Sequence, residues 1–204
     1  DEVNELPNTD NRYVLDQIPL INWDLIRDKL WSYSTRFQSA YKHLLRNSTR
    51  PVAVTINRAR GCHRYKDPCL YCGIMNLRPR FSSPHVFWDE VKGANKAVGA
   101  NIFYEACDSL SSFPFWIREL VKQKPDDLNG IKFFVYSEAL HITPELVDLY
   151  RKLGVFMVNM GLDSGDEEML RRLKGRSDSV DQNRTAVELL NEAGIHIYAS
   201  FVLG

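Results

Sequence analysis

The stretch PVAVTINRARGCHRYKDPCLYCGIMN, residues Pro51 to Asn76, joins an apolar strand to a cysteine-rich loop. Its first part, Val52 to Ile56, is apolar and β-branched, which is typical of a buried strand. The loop that follows holds three cysteines spaced C-x6-C-x2-C, namely Cys62, Cys69 and Cys72. Three thiolates on one loop at the end of a strand can converge on a single metal centre. We therefore predict an iron–sulfur cluster in which one iron lacks a protein ligand.

Strand and helix patterns alternate five times along the chain, which indicates an α/β fold. The predicted strands cover 52–56, 101–105, 131–136, 155–160 and 195–203, and the predicted helices cover 86–98, 113–123, 144–154, 166–173 and 180–193. Pro79 and Pro84 exclude regular structure from Arg78 to His85. Such alternation is typical of a parallel sheet with outer helices and right-handed crossovers. Both an open doubly-wound sheet and a (β/α) barrel satisfy the pattern.

The first 49 residues are set apart as a linker and helical segment, and residues 50–204 as the core domain. Residues 1 to about 20 are polar and irregular, whereas Trp23 to Leu45 has the spacing of one or two helices. These helices either pack on the outside of the core or cover an upstream domain. The chain stops directly after the apolar run Ile197 to Leu203. We therefore expect a fragment whose core is truncated at its C-terminal end.

The bulk composition excludes several classes of function. Lys plus Arg and Asp plus Glu number 26 each, so the charge balance gives no reason to expect a nucleic-acid or membrane partner. No apolar run approaches the ~20 residues of a membrane span, and no secretory signal opens the chain. Three of the four cysteines are clustered, which argues against a secreted disulfide framework and for the reducing cytoplasm.

In both candidate folds, functional residues lie on the loops at the C-terminal ends of the strands. The polar residues there are Glu105, Cys107 and Asp108 after the second strand, Ser137, Glu138 and His141 after the third, and Asn159, Asp163 and Ser164 after the fourth. Gly161 and Gly165 would let the backbone approach a ligand closely. This set predicts acceptors for an amine and for a pair of sugar hydroxyls beside the cluster.

Some of these residues also have simpler interpretations. Cys107 fits a small buried hydrophobe better than a metal ligand, and Asp163 would also serve as a cap for the helix that follows. Glu138 and His141 are equally consistent with solvated loop residues.

The order of these features resembles the radical S-adenosylmethionine (SAM) superfamily. The cysteines follow the first strand, and the last pair encloses an aromatic residue in Cys69–Leu70–Tyr71–Cys72. The second strand leads into ACDS, 106–109, where the family has a glycine-rich acidic motif. The fourth leads into GLDSG, 161–165, where the family often has Gly-Ile-Glu-Ser-Gly, with a Lys174–Gly175 pair beyond the next helix. The resemblance covers residues 50 to 204 and implies a partial (β/α) barrel with about five of six βα units.

The resemblance implies the cofactors and the chemistry. Cys62, Cys69 and Cys72 would bind a [4Fe-4S] cluster whose fourth iron chelates SAM. One electron from the reduced cluster would cleave SAM, and the 5′-deoxyadenosyl radical would abstract a hydrogen from the substrate. The implied partners are an electron donor of the flavodoxin or ferredoxin type and a small-molecule or peptide substrate.

The resemblance also implies contacts to SAM. Tyr71 would pack near the adenine, Asp108 would hold the amine, and Asp163 and Ser164 would contact the ribose or the carboxylate. Two features depart from the family pattern, because the usual cysteine spacing is C-x3-C-x2-C and two glycines usually precede the acidic residue at Asp108. His63, Arg64 and Lys66 lie in the longer spacer, where they either keep the loop solvated or face the electron donor.

The N-terminal segment resembles a linker found in one subgroup of the superfamily. Leu15-Asp16-Gln17-Ile18-Pro19 and then Asn22-Trp23-Asp24 occupy the position where that subgroup links a cobalamin-binding domain to its core. The resemblance implies cobalamin held by a domain outside this chain. It implies a transferase that moves a methyl group to an unactivated carbon, or else an enzyme of radical rearrangement.

A zinc-stabilised α/β binding domain without catalysis is the alternative. A C-x2-C pair also occurs in zinc ribbons and redox motifs. Cys62, Cys69 and Cys72 together with His63 or Cys107 would supply four zinc ligands. Zinc sites of this type usually have two paired ligand sets, and this chain has only one pair.

Overall fold

The computed structural model describes residues 13–41, 51–73, 78–175 and 177–203. Within these ranges the strands are β1 (Ala53–Ile56), β2 (Ala59–Arg60), β3 (Arg80–Phe81), β4 (Ile102–Glu105), β5 (Lys132–Ser137), β6 (Val155–Asp163) and β7 (His196–Phe201). The helices are α1 (Arg27–Tyr41), α2 (Pro84–Val98), α3 (Pro114–Lys122), α4 (Pro144–Leu153), α5 (Glu167–Lys174) and α6 (Val180–Glu192). No helix in these ranges has the length and apolar character needed to cross a membrane.

Five strands form one parallel sheet in the spatial order β1-β4-β5-β6-β7. A doubly-wound sheet reverses its strand order at a switch point, and this order does not reverse. A continuous order with right-handed crossovers places the connecting helices on one face, as in a (β/α) barrel. The predicted partial barrel is therefore confirmed, and the doubly-wound alternative is wrong.

The main core lies between the outer face of the sheet and the surrounding helices. Phe103 of β4 and Phe133 of β5 are completely buried, and they belong to the same apolar cluster as Trp116 of α3 and Tyr150 of α4. Because side chains alternate across a strand, the residues next to Phe103 in β4 and next to Phe133 in β5 face the opposite, inner side of the sheet. All strands of a parallel sheet end at one edge, so this core fixes where their loops meet.

The helix boundaries follow local capping signals. The Thr143 hydroxyl accepts the N–H of Leu146 at 3.2 Å, Pro144 occupies the first turn, and Gly154 ends α4 with φ +103°. Each of these residues suits a helix terminus, and together they explain why the helix predicted over 144–154 forms there. Ser179 forms a capping box with Gln182 at the start of α6.

The segment between the cysteine loop and α2 is more regular than predicted. β3 pairs with β2 in a short antiparallel ladder, and α2 begins at Pro84 after the Ser83 cap. The exclusion of regular structure between Arg78 and His85 is therefore wrong. Pro79 lies just before the ladder and Pro84 is the first residue of the helix, so neither proline removes a hydrogen bond that the structure needs.

α1 covers part of the inner face of the sheet rather than its outside. Phe37 and Tyr41 pack near Ile102 and Phe156, which belong to a second apolar cluster. The predicted outer position of this helix is therefore wrong, and residues 42–45 of the predicted helix lie outside the described ranges. A cavity of 490 Å³ separates α1 from β1, β4 and β5.

Candidate metal and cofactor site

Two carboxylates from the end of β4 hold the loop that follows β1. Glu105, 1% exposed, accepts the backbone N–H groups of Arg58 at 3.1 Å and Ala59 at 3.2 Å. The Asp108 Oδ2 atom accepts the N–H of Gly61 at 2.7 Å. Gly61 has φ +90°, a conformation that favours glycine, and the next residue is the first cysteine of the motif. The end of β4 therefore fixes the backbone that presents this cysteine.

Cys62 is half-buried and hydrogen-bonded on two sides. Its thiol donates to Glu138 Oε1 at 3.4 Å, and its sulfur accepts the N–H of Arg64 at 3.4 Å. Burial, with a further contribution from the Glu138 carboxylate, raises the pKa of the Cys62 thiol to about 12. Metals bind the thiolate, so metal binding at Cys62 would release this proton.

The C-x2-C segment forms a turn beside Cys62. The N–H of Cys72 donates to the Cys69 carbonyl at 2.9 Å, and the N–H of Leu70 donates to the carbonyl of Leu173 in α5 at 2.8 Å. Burial raises the pKa of the Cys69 thiol, and the charge of Cys72 adds to this effect. Cys69 in turn raises the pKa of Cys62. Cys69 is thus an electrostatic neighbour of both other cysteines, and all three cysteines are half-buried.

Arg64 lies in the spacer between the first two cysteines and is buried. Its Nε atom donates to Glu138 Oε2 at 3.0 Å, one terminal nitrogen donates to the Lys174 carbonyl at 2.6 Å, and the other pairs with Asp178. Burial acts to lower the pKa of Arg64, but the bonds with Glu138 and Asp178 outweigh it and raise that pKa. The interpretation that the spacer only keeps the loop solvated is therefore wrong for this residue.

His63 and His141 form a second contact, between the cysteine loop and the turn that follows β5. His63 Nδ1 lies 2.9 Å from the Ser112 hydroxyl, and its Nε2 lies 3.4 Å from Nε2 of His141. Burial lowers the pKa of His63, and burial together with His63 lowers the pKa of His141 to about 4. Burial would raise the pKa of Glu138, but His63 and Arg64 lower it overall. Glu138 and His141 are thus not solvated loop residues, and that interpretation is wrong.

Asp163 ends β6 in a conformation that is rare for residues other than glycine. Its φ is +61° and it is 5% exposed. Its Oδ2 atom lies 2.9 Å from the ammonium of Lys174, and its carboxylate is hydrogen-bonded to Tyr71. Asp166, not Asp163, caps α5 through the N–H of Met169 at 2.8 Å, so the capping interpretation is wrong. A strained polar residue held in a buried network is typical of a ligand site.

The structure places the remaining candidates at the same end of the sheet. Tyr71 is 50% exposed, so one part of its ring is free to contact a ligand. The Ser164 hydroxyl accepts the N–H of Asp166 at 3.1 Å, and Cys107 is completely buried. Sequence reasoning missed Lys174 and Asp178 as site residues. Asp178 lies 114 positions from Arg64, and no local pattern marks the pair.

Comparisons with known proteins give one family and several similar structures. The model of the radical SAM superfamily matches residues 56–204. No curated protein sequence matches significantly. Among solved structures, the radical SAM methyltransferase TsrM of Kitasatospora setae, with cobalamin and a [4Fe-4S] cluster bound, aligns with TM-score 0.63 and 22% identity over 76% of this chain and 32% of that one.

Two further structures show the same fold. The cobalamin-dependent radical enzyme OxsB, with aqua-cobalamin bound, aligns with TM-score 0.61 and 21% identity over 72% of this chain and 23% of that chain. Coproporphyrinogen III oxidase of Escherichia coli aligns with TM-score 0.55 and 15% identity over 82% of this chain and 40% of that chain. This chain thus spans less than half the length of each of these proteins. Because the family model matches more than half of its residues, the chain belongs to the radical SAM superfamily.

Proposed function

We propose that this chain is the core of a radical SAM enzyme, with Cys62, Cys69 and Cys72 as the ligands of a [4Fe-4S] cluster. The observation that carries the proposal is the placement of three half-buried cysteines on one loop at the C-terminal edge of a parallel sheet. Thiolates are the ligands that iron–sulfur clusters take, so this donor set fits the cluster. When both are bound, the cluster and SAM supply a one-electron cleavage that starts radical chemistry.

The residues around the cysteines fit SAM, the second cofactor of the proposal. Tyr71 offers an exposed ring for the adenine, and Asp163 offers a buried carboxylate in the same network. Ser164 follows Asp163 at the strand end, and Asp108 lies across the loop beside Gly61. In the proposal these groups bind and orient SAM, while the partial barrel keeps water away from the reacting atoms.

For the substrate, we propose a small molecule on the inner face of the sheet. The cavity between α1 and the strands, at 490 Å³, has a size typical of small-molecule sites and a mostly apolar lining that includes Tyr104 and Phe134. One TsrM structure contains its substrate tryptophan and a SAM analogue. Peptide substrates remain the other class that the family resemblance implies.

The similarity to TsrM and OxsB, whose structures contain cobalamin, supports a cobalamin-dependent methyl transfer or rearrangement. In this proposal a separate domain holds the cobalamin, and a reductant of the flavodoxin or ferredoxin type supplies the electron. The proposed compartment is the cytoplasm, where thiols stay reduced.

Anaerobic reconstitution of the chain with iron and sulfide tests the proposal. We expect a brown protein with roughly four irons and four sulfides per chain, as one [4Fe-4S] cluster requires. Changing Cys62, Cys69 or Cys72 singly to Ala should abolish the cluster. Cys107→Ala is the matched control and should keep the iron content of the wild type, because Cys107 is completely buried and not on the loop.

A zinc site is the second candidate, and one observation favours it. Cys62, His63 and Glu138 can place one ligand atom each within 4.8 Å of one another, a set compatible with zinc. A colourless protein that retains one zinc per chain after reconstitution, and loses it on His63→Ala, would support this candidate and reject the cluster.

A further inference from the structure

Arg64 makes an unusual number of buried contacts for a residue in a loop between two metal-ligand candidates. Its side chain is 8% exposed, although arginine is rarely buried unless it is paired. All three nitrogens of the guanidinium are engaged, by Glu138, by the Lys174 carbonyl, and by Asp178 with Ser177. A planar fork with several fixed partners defines both the position and the orientation of the side chain.

The partners of Arg64 come from separate parts of the fold. Glu138 follows β5, whereas Lys174 and Asp178 lie at the end of α5 and just beyond it. Lys174 in turn pairs with Asp163 at the end of β6 at 2.9 Å. One side chain therefore connects the cysteine loop to the ends of two neighbouring strands.

Arg64 also acts on the cysteine sulfurs directly. Its backbone N–H donates to Cys62 Sγ at 3.4 Å. The end of α5 that accepts the Arg64 guanidinium also accepts the N–H of Leu70, the residue after Cys69, at 2.8 Å. A cation that stabilises a thiolate also stabilises the extra negative charge of a reduced cluster. Net charge and hydrogen bonds to sulfur are known determinants of cluster potential.

We infer that Arg64 is a positioning residue that fixes the cysteine loop and raises the reduction potential of the bound cluster. The inference rests on the proposed function and deepens it. Arg64 does not touch the reacting atoms in this role. It acts through the placement of Cys62 and Cys69 and through one buried positive charge.

The test compares Arg64→Met and Arg64→Lys with the wild type after reconstitution of the full chain. Iron content, the EPR spectrum of the reduced cluster, and the midpoint potential from a redox titration are measured. Arg64→Met removes the charge and leaves Glu138 and Asp178 without this partner, so we expect at least a twofold loss of bound iron and a shift to a more negative potential. Arg64→Lys keeps the charge but not the fork. We expect it to lose bound iron at least twofold and alter the EPR spectrum, with a smaller shift in potential.

Arg171→Met is the matched control. Arg171 is 58% exposed on α5 and forms an ion pair with Glu167 of the same helix at 3.1 Å, so iron content and potential should not change. If Arg64→Met fails to fold, Arg64→Lys decides the question. Wild-type iron content and an unchanged EPR spectrum in Arg64→Lys would overturn the inference and leave the proposed function intact. A wild-type chain that assembles no cluster would overturn both.

Discussion

Asp108 combines a contact that the structure shows with one that the family resemblance implies. Its Oδ2 atom binds the N–H of Gly61 at 2.7 Å, and the proposal also assigns it the amine of SAM. Replacement of Asp108 by Asn keeps an oxygen for Gly61 but removes the negative charge.

We expect Asp108→Asn to assemble the cluster normally and to bind SAM about tenfold more weakly, because a neutral amide lacks the extra ~1–1.5 kcal/mol that a charged acceptor gives a hydrogen bond. Asp108→Ala should also lose bound iron, because Gly61 loses its acceptor. Iron analysis and equilibrium SAM binding separate the two effects. Equal SAM affinity in Asp108→Asn and the wild type would limit Asp108 to holding the loop.

The burial of Glu105 predicts that the stability of the protein depends on pH. Burial raises the pKa of Glu105 to about 8, although the N–H groups of Arg58 and Ala59 partly oppose it. Between the ordinary carboxyl pKa and this value the folded state binds more protons than the unfolded state, so stability must fall as pH rises. The loss amounts to at most about 5 kcal/mol across that window.

We therefore expect Glu105→Gln to flatten the decline in Tm between pH 5 and pH 9, because the amide oxygen still accepts both N–H groups and carries no charge. Thermal unfolding at several pH values measures this. If Tm declined with pH equally in Glu105→Gln and the wild type, the pH dependence could not be assigned to Glu105.

At the scale of elements, the sequence predicted most strands and helices because their signals are local. Caps such as Thr143 and Ser83, and glycines such as Gly154, mark helix ends without reference to the rest of the fold. The β2–β3 ladder was missed because a two-residue strand has no periodicity. The inner position of α1 was missed because its ring-rich face suits either side of a sheet.

Gly154 tests how closely an element boundary is constrained. It has φ +103°, and a Cβ atom there would lie 2.5 Å from the carbonyl oxygen of Ile131. Gly99 also has a positive φ, +70°, but a Cβ there would meet nothing within 4 Å.

We expect Gly154→Ala to reduce the free energy of unfolding by roughly 2–4 kcal/mol, since it adds a backbone clash to conformational strain. Gly99→Ala adds conformational strain without a clash and should reduce the free energy of unfolding by about 1 kcal/mol. Urea unfolding compares the two variants. Equal losses would show that the contact with Ile131 relaxes without significant energetic cost.

At the scale of the whole molecule, the candidate site depends on distant segments that meet at one edge. The placement of the cysteines, Asp108 and Asp163 at this edge was predictable, because parallel strands present their C-terminal ends together. The pairing of Arg64 with Asp178 was not predictable, because it joins residues 114 positions apart through tertiary packing alone.

The N-terminal segment is attached to the core through a second buried ion pair. Arg58, just before the cysteine loop, pairs with Glu90 of α2 and donates to the carbonyls of Ile18 at 3.0 Å and Pro19 at 3.1 Å. Glu90 also accepts the indole N–H of Trp23 at 2.8 Å. The N-terminal segment, α2 and the loop after β1 therefore share one network.

Glu90→Gln should destabilise the protein by about 3–5 kcal/mol, because it leaves the buried Arg58 without its counter-charge. It should also speed amide hydrogen exchange in residues 15–26 more than in β4 or β5, since residues 15–26 depend on the network for attachment.

Glu168→Gln is the matched control. Glu168 is 76% exposed and pairs with Arg172 at 2.6 Å. Glu168→Gln should therefore lower the free energy of unfolding by no more than about 0.5 kcal/mol. If Glu90→Gln changed stability and exchange no more than Glu168→Gln does, the N-terminal segment would be held by apolar contacts alone. In that case its position would not be coupled to the loop that presents the cysteines.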